Sequence, residues 1–548
     1  MTPAWLDSYG DGVPHALPPL VDRSLIALYE RAAAQFADRV ALQEGERSLR
    51  YADWDRQSRS FAALLQSELN VLPGERVAMM CPNVLASPIG MIGILRTGAA
   101  QVNVNPMYSP AELAHQLKDA DAGVIVVHRS ALPTLLQVIA STAIRTVIVA
   151  ADDPFETLGA ALDEAPCTGV QVLDFADCLQ RGARLPFAAP ELAAQDLAFL
   201  QYTGGTTGLS KGAMLSHGNL LANIAQYRAF AGAAMSQDGE TVITALPLYH
   251  IFALMVNTLS YLSVGATNVL VANARDMDGF VALLKRSPFT AITGVNTLFV
   301  GLMAHPAFDQ IDFSRHRVSW GGGAPIPPST SARWKRFTGA HIKLGYGLSE
   351  TSPILTLNPV HIAHFTDTVG VPLPGTEISL RDAEGAQVPQ GERGEIWARG
   401  AQVMAGYWRN PAATAEAFSA DGFFKTGDIG VFDEHGFLRI VDRKKDMILV
   451  SGFNVYPAEV EAVAQAFDGV RECAVVAVDD ERTGEAVKLY YAVLPGHRVD
   501  TAALQRHCRA HLAAYKVPRH LEQLAELPKS TVGKVLRRAL RSDGDTRA

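Results

Sequence analysis

Short apolar, β-branched runs alternate with helical patterns through the first two thirds of the 548-residue chain. Arg76-Val-Ala-Met-Met, Gly123-Val-Ile-Val-Val-His, Thr146-Val-Ile-Val-Ala and Asn268-Val-Leu-Val-Ala read as buried strands, with Ser24 to Phe36 and Pro110 to Leu117 as helices between or before them. This alternation predicts an α/β fold with layered, largely buried sheets. From about Val369-Gly370 short strands separated by Gly, Pro and Asp turns take over: Glu377-Ile-Ser-Leu, Gly394-Glu-Ile-Trp-Ala and Gly436-Phe-Leu-Arg-Ile-Val. A second change falls at the charged run Asp442-Arg-Lys-Lys-Asp446. Beyond it, a helix over Pro457 to Phe467, strands over Cys473 to Val478 and Val487 to Leu494, and a helix over Thr501 to Leu512 make a compact α+β unit of about 100 residues. The expected organisation is a large N-terminal domain over residues 1–441, comprising layered α/β subdomains and a β-rich subdomain, and a small C-terminal domain over 447–548. Residues 442–446 lie between them as either a hinge or a solvated charged turn.

Thr241 to Ala274 contains no Asp, Glu, Lys or Arg. Pro247, Asn257, Gly265 and Asn268 interrupt it, whereas a spanning helix wants about 20 predominantly apolar residues. It reads as a buried helix followed by a buried strand, with Phe252 to Val264 either plain core or the wall of an apolar ligand cavity. Hydrophobic residues at 48% exclude a largely disordered chain, and a net charge of −8 argues against a nucleic-acid binder. Five dispersed cysteines form no CxxC pair, which argues against structural zinc and a disulfide framework and fits a reducing, cytoplasmic setting. The start, MTPAWLDSYGDG, lacks the basic and apolar pattern of a signal peptide.

The segment richest in chemistry is Tyr202, Thr203, Gly204, Gly205, Thr206, Thr207, Gly208, Leu209, Ser210, Lys211, Gly212, which follows the apolar run Leu197-Ala-Phe-Leu. Glycines let backbone N–H groups approach a polyanion, hydroxyls add donors, and the lysine adds a point charge. A Walker A loop would read GxxxxGK[ST]; here Ser210 precedes and Gly212 follows Lys211, so this is a phosphate-binding loop of another kind.

That segment resembles the signature of the adenylate-forming superfamily, which includes acyl-CoA synthetases, luciferases and peptide-synthetase adenylation domains. Gly321-Gly-Gly-Ala-Pro325, Gly345-Tyr-Gly-Leu-Ser-Glu-Thr351, Thr426-Gly-Asp428, Asp442 to Asp446 and Pro528-Lys-Ser-Thr-Val-Gly-Lys534 match in the expected order along nearly the whole chain. Leu246-Pro-Leu-Tyr-His-Ile-Phe252 and Met447 to Pro457 look most like bacterial long-chain fatty-acid–CoA ligases. The resemblance implies that a carboxylate attacks the α-phosphate of ATP, that pyrophosphate leaves, and that the thiol of CoA then displaces AMP from the acyl-adenylate.

The resemblance also implies roles. Lys534 serves adenylation, Glu350 holds Mg2+, and Ser349, where relatives commonly carry Thr, keeps a hydroxyl beside Thr351. Tyr346, between Gly345 and Gly347, stacks adenine beside the backbone of Gly322, Gly323, Ala324 and Pro325. Asp428 takes the ribose hydroxyls with Arg443 as its donor partner. Tyr249 and His250 mark the carboxylate end of the acyl pocket, and the Pro-x-Tyr-His context puts His250 among the catalytic candidates. Leu254 stands where some long-chain relatives carry an aromatic gate, and Val295 and Asn296 form another wall. Lys445 matches the hinge about which a mobile C-terminal domain turns, and Gly452 lets the pantetheine arm of CoA pass. The resemblance admits peripheral contact with an inner membrane and a homodimer. Two alternatives stay open: a fatty-acyl-AMP ligase loading a carrier protein, and a non-catalytic lipid- or nucleotide-binding protein.

Overall fold

The computed structural model describes residues 3–159, 169–203, 210–236, 238–451, 453–480, 482–530 and 533–541. Its packing divides the chain into two compact units: Met1–Glu377 with Ala398–Phe424, and Ile378–Trp397 with Lys425–Ala548.

Among the described residues, the first unit carries a seven-stranded and a nine-stranded sheet. The seven-stranded sheet runs Gln171–Asp174, Thr146–Ala150, Val124–His128, Arg76–Met80, Ala100–Asn103, Leu197–Thr203, Lys211–Ser216 in space. All pairs are parallel except the last, an antiparallel hairpin. Val124–His128 and Thr146–Ala150 are buried at every position, the pattern of parallel strands covered on both faces. The nine-stranded sheet places Lys343–Gly347, Val318–Gly321, Ala291–Gly294 and Thr241–Thr244 side by side and parallel, so their carboxyl ends share one edge. Ligands of open α/β sheets bind outside such an edge.

Local signals fix the helices as expected. Ser24 caps Leu25–Gln35, and Ser109 with Glu112 forms a capping box for Pro110–Ala120. Ser216 ends the hairpin and caps His217–Ala231, with Asn219 closing the box. Asn219 Nδ2 also donates to the Ala401 and Val403 carbonyls, which ties the returning segment to this helix.

The charge-free stretch differs in detail from its sequence reading. It opens with a strand, Thr241–Thr244, before its helical part and the strand Thr267–Leu270. The helical part Phe252–Ser260 is wound as a π-helix, a form rarely sustained at that length and often found at functional sites. No helix among the described residues is long and apolar enough to cross a membrane.

The second unit holds most of the four-stranded sheet Glu377–Arg381, Gly394–Arg399, Phe424–Phe432, Leu438–Arg443, and a five-stranded sheet centred on Val470–Asp480 and Gly484–Val493. Strand alternation gives the latter two covered faces. Val475, Val487, Leu489 and Tyr491 pack with Val460 and Leu504 of the helices Pro457–Gln465 and Thr501–His511. Ala474, Val476 and Tyr490 pack on the other face with Leu527 and Leu540. That second contact anchors the chain on both sides of Lys534. The run Asp442–Asp446 lies inside this unit and is not simply solvated. Asp442 is buried, and Arg537 pairs bidentately with Glu461 at 2.8 Å while reaching Asp446 at 3.2 Å and Asp442 at 3.7 Å.

Candidate active site

In the first unit the carboxyl edge of the nine-stranded sheet gathers four sequence-predicted segments. Tyr249 and His250 follow Thr241–Thr244, Val295 and Asn296 follow Ala291–Gly294, Gly322 to Pro325 follow Val318–Gly321, and Gly345, Tyr346 and Gly347 end Lys343–Gly347. Close approach explains two of the glycines. A Cβ on Gly347 would overlap the Pro353 carbonyl, and one on Gly322 would lie 3.3 Å from the Phe252 ring and 3.4 Å from the Gly345 carbonyl. Gly323, Ala324 and Pro325 lie toward the surface, with Gly323 at φ +75°.

The ends of the Gly/Thr-rich segment are fixed by the hairpin register, in which Thr203 faces Lys211 and Tyr202 faces Gly212. Gly204, Gly205, Thr206, Thr207 and Gly208 lie outside the described residues. The Tyr202 ring lies across Gly212, where a Cβ would approach it to 3.1 Å, and its hydroxyl donates to Asp119 at 2.5 Å. Burial, with that bond second, holds this phenol well above its ordinary pKa. Tyr202 and Gly212 therefore brace the hairpin. The Ser210 carbonyl contacts His115 Nε2 at 2.9 Å.

Glu350 is the buried carboxylate of the edge, in the short turn Ser349–Thr351. Its Oε1 accepts from the Tyr407 hydroxyl at 2.9 Å and lies 3.5 Å from Thr203 Oγ1. The Lys211 ammonium sits 5.3 Å from the centre of the Tyr407 ring. One tyrosine thus carries a cation on its face and a carboxylate on its hydroxyl. Burial first, and the Glu350 charge second, raise the Tyr407 pKa well above normal, so the phenol stays a donor. Thr351 closes its own turn, accepting from Leu348 N at 2.9 Å and donating to the Pro353 carbonyl at 2.5 Å. Its hydroxyl thereby shapes the support of Glu350, and Ser349 beside it is only part-buried.

Tyr407 escaped the sequence reading. It is held there because Tyr407 bridges to Ala213, Met214 N donates to the Gly406 carbonyl and Trp408 N to the Gly212 carbonyl, which extends the hairpin by a segment almost 200 residues later. An aromatic pair after a glycine was the visible signal, but nothing local assigns it a partner.

Tyr249 and Leu254 line one narrow apolar crevice together with Met79, Met91 and Leu248, while Val295 and Asn296 are not among its lining. His250 Nδ1 accepts from Phe252 N at 3.3 Å, so the neutral ring carries its proton on Nε2. Leu254 and Thr258, one π-helix face apart, both turn toward the crevice.

In the second unit, Asp428 and Arg443 are paired residues of adjacent antiparallel strands, with Arg443 Nε 3.2 Å from Asp428 Oδ1. Gly427 sits in the strand of Asp428 at φ +71°, and Thr426 Oγ1 accepts from Asp428 N at 3.1 Å. Lys534 follows Gly533, at φ +75°, in a tight reversal where Ser530 N donates to the Lys534 carbonyl at 2.7 Å. Lys534 is exposed, yet protein crowds its ammonium. Partial loss of water, then repulsion by Arg443, opposed by Asp428 and reinforced by Arg537 and Lys445, brings it down to about 8. Lys445, also exposed, is lowered to about 8 by partial loss of water and then by Arg443. Gly452 lies outside the described residues.

Residues 29–408 match the family model described as AMP-binding enzyme, and residues 459–534 match that of the AMP-binding enzyme C-terminal domain. A long-chain-fatty-acid–CoA ligase of Salmonella typhimurium is 45% identical over 99% of this chain and 98% of its own. Among solved structures, an anthranilate CoA ligase in complex with anthranoyl-AMP superposes with a TM-score of 0.85 at 26% identity, covering 96% of this chain and 98% of its own. ATP-bound MatB from Rhodopseudomonas palustris does so at 0.82 and 29% identity, covering 94% and 98%.

Proposed function

The chain belongs to the AMP-binding enzyme family, and from that premise we propose that it joins a long-chain fatty acid to CoA through an acyl-adenylate, using ATP. A carboxylate oxygen of the acid bonds to the α-phosphorus while the bond to pyrophosphate breaks. The CoA sulfur then bonds to the acyl carbon and AMP leaves. The observation that carries this reading is the Thr203–Glu350–Tyr407–Lys211 cluster at the end of the Gly/Thr-rich hairpin, where a lysine cation and a buried carboxylate share one aromatic support.

Both reactants of the first step are anions, so preorganised positive charge and placement dominate its catalysis. Lys211 meets the outer phosphates, and Lys534 bridges the attacking carboxylate and the α-phosphate. Asp428 accepts from the ribose hydroxyls and is itself oriented by Arg443. Tyr346 offers a face to adenine, and His250 offers its Nε2–H near the acid's carboxylate. Glu350 suits Mg2+, a hard cation usually held by one or two carboxylates plus substrate phosphates. When bound, the ion neutralises phosphate charge.

Acid-dependent pyrophosphate release tests this reading, with CoA consumption separating CoA ligation from adenylation alone. Asp428→Ala raises KM for ATP by about tenfold or more, the cost of hydrogen bonds to a charged group, with KM for the acid nearly unchanged. An unmoved ATP KM removes Asp428 from the nucleotide site. The ammonium form of Lys534 is the working form and its pKa is lowered to about 8. Accordingly kcat/KM for adenylation falls as pH rises through about 8. Bound anions pull the proton back, so kcat persists to higher pH. A kcat/KM profile flat up to pH 10, about two units above that value, contradicts this assignment.

Lys445 is the proposed hinge, where a few element-end residues absorb the backbone change between the two half-reactions. Lys445→Pro spares adenylation and blocks thioester formation; normal rates of both half-reactions exclude the hinge. A cytoplasmic setting with peripheral membrane contact completes the proposal, because fatty acids partition into bilayers; complete absence of the protein from washed membranes speaks against that contact.

A further inference from the structure

The crevice that holds Tyr249 and Leu254 is not uniformly apolar. Gln101 and Thr258 also line it, each 3% exposed, and Gln101 Oε1 and Thr258 Oγ1 have no hydrogen-bond partner. Buried polar atoms are rarely left so.

A relay of amides determines which end of Gln101 is left over. The Tyr249 carbonyl can only accept, so it takes Gln201 Nε2 at 3.0 Å and turns the Gln201 oxygen away. That oxygen accepts Asn103 Nδ2 at 2.8 Å, and Asn103 Oδ1 accepts Gln101 Nε2 at 2.6 Å. Gln116 Nε2 pins the Asn103 backbone carbonyl at 2.7 Å. Each amide is oriented by the next, so Gln101 must present its oxygen, not its nitrogen, as the free end. Alternation places Gln101, Asn103 and Gln201 on one face of adjacent strands, in register with Met79 of the next. The result is a crevice that holds a fixed acceptor and a hydroxyl, with walls made by Met79, Met91, Leu248 and Leu254.

We propose that this crevice takes long-chain acids bearing a hydroxyl group on the chain: the hydroxyl donates to Gln101 Oε1 and pairs with the Thr258 hydroxyl. The proposal rests on the function proposed above and on the reading that Tyr249 and His250 mark the carboxylate end of the acyl pocket. Hydroxyls at other chain positions meet methionine and leucine and are penalised for losing water unpaired. A hydroxyl at the matching position is not.

The test is a kcat/KM series for AMP formation by the full chain with hexadecanoic acid and its monohydroxy derivatives, the hydroxyl moved stepwise along the chain. One position is expected to be activated about tenfold better than its neighbours, and at least as well as the unsubstituted acid. Gln101→Leu and Thr258→Val are each compared as ratios to the same variant's rate on hexadecanoic acid, and both flatten that maximum. Thr258→Val leaves the amide relay whole, so it reads the pocket even where Gln101→Leu fails to fold. Activation of hexadecanoic acid with uniformly poorer hydroxy acids overturns the inference and leaves the crevice an ordered water only. Failure to activate any acid of the series overturns the proposed function, and the inference with it.

Discussion

Lys534→Ala lowers acyl-adenylate formation by about three orders of magnitude, while thioester formation from supplied acyl-adenylate stays within about twofold of the wild-type rate. The magnitude follows from what the ammonium does. Carboxylate and triphosphate repel each other until a cation lies between the oxygens that react, and that need ends once pyrophosphate has gone. Nothing in the thiol step requires the same charge. Within its own unit, Leu527 and Leu540 anchor the segment of Lys534 on the sheet, and Gly533 turns it in a left-handed conformation costly to a residue with a Cβ. Separate measurement of the half-reactions checks it, and equal loss of both contradicts an adenylation-specific role.

The second large effect is at Glu350. Glu350→Gln keeps the shape and removes the charge, and adenylation falls by about two orders of magnitude, with part of the loss recovered at high Mg2+. Tyr407→Phe is the graded companion. It removes one hydrogen bond to that carboxylate and leaves the ring beneath Lys211, so it raises the Mg2+ needed for half-maximal rate by about tenfold. Mg2+ titrations of pyrophosphate release compare the two variants. A Glu350→Gln enzyme with an unchanged Mg2+ response removes the carboxylate from the metal site, whatever its rate.

The parts of this site that were legible in the sequence are those in which a short stretch carries its own reason. Thr426-Gly427-Asp428 resembles the family's ribose motif with Arg443 as its partner, and the structure sets Asp428 opposite Arg443 on adjacent strands, with Gly427 at positive φ. The β-branched runs at 124–128 and 146–150 can be little but buried strands, and they are. What could not be read depends on distant chain meeting by topology. Tyr407 reaches Glu350 only because its segment pairs with the strand at Lys211–Ser216. The Gln101–Asn103–Gln201 relay is visible beforehand only as polar residues in otherwise apolar strands, and its direction comes from a carbonyl at Tyr249. The charged run at 442–446 carried two readings. Those were a hinge and a solvated charged turn, and its engagement by Arg537, almost 100 residues later, is a contact that charge alone could not reveal.

The most direct measurement is of products. The purified chain is supplied with ATP, Mg2+ and a long-chain fatty acid, with and without CoA, and pyrophosphate, AMP and thioester are followed together. Acyl-adenylate chemistry gives pyrophosphate only when the acid is present, and with CoA it gives AMP and acyl-CoA in equal amounts. ATP turnover that continues without the acid, or that yields ADP and inorganic phosphate, contradicts it.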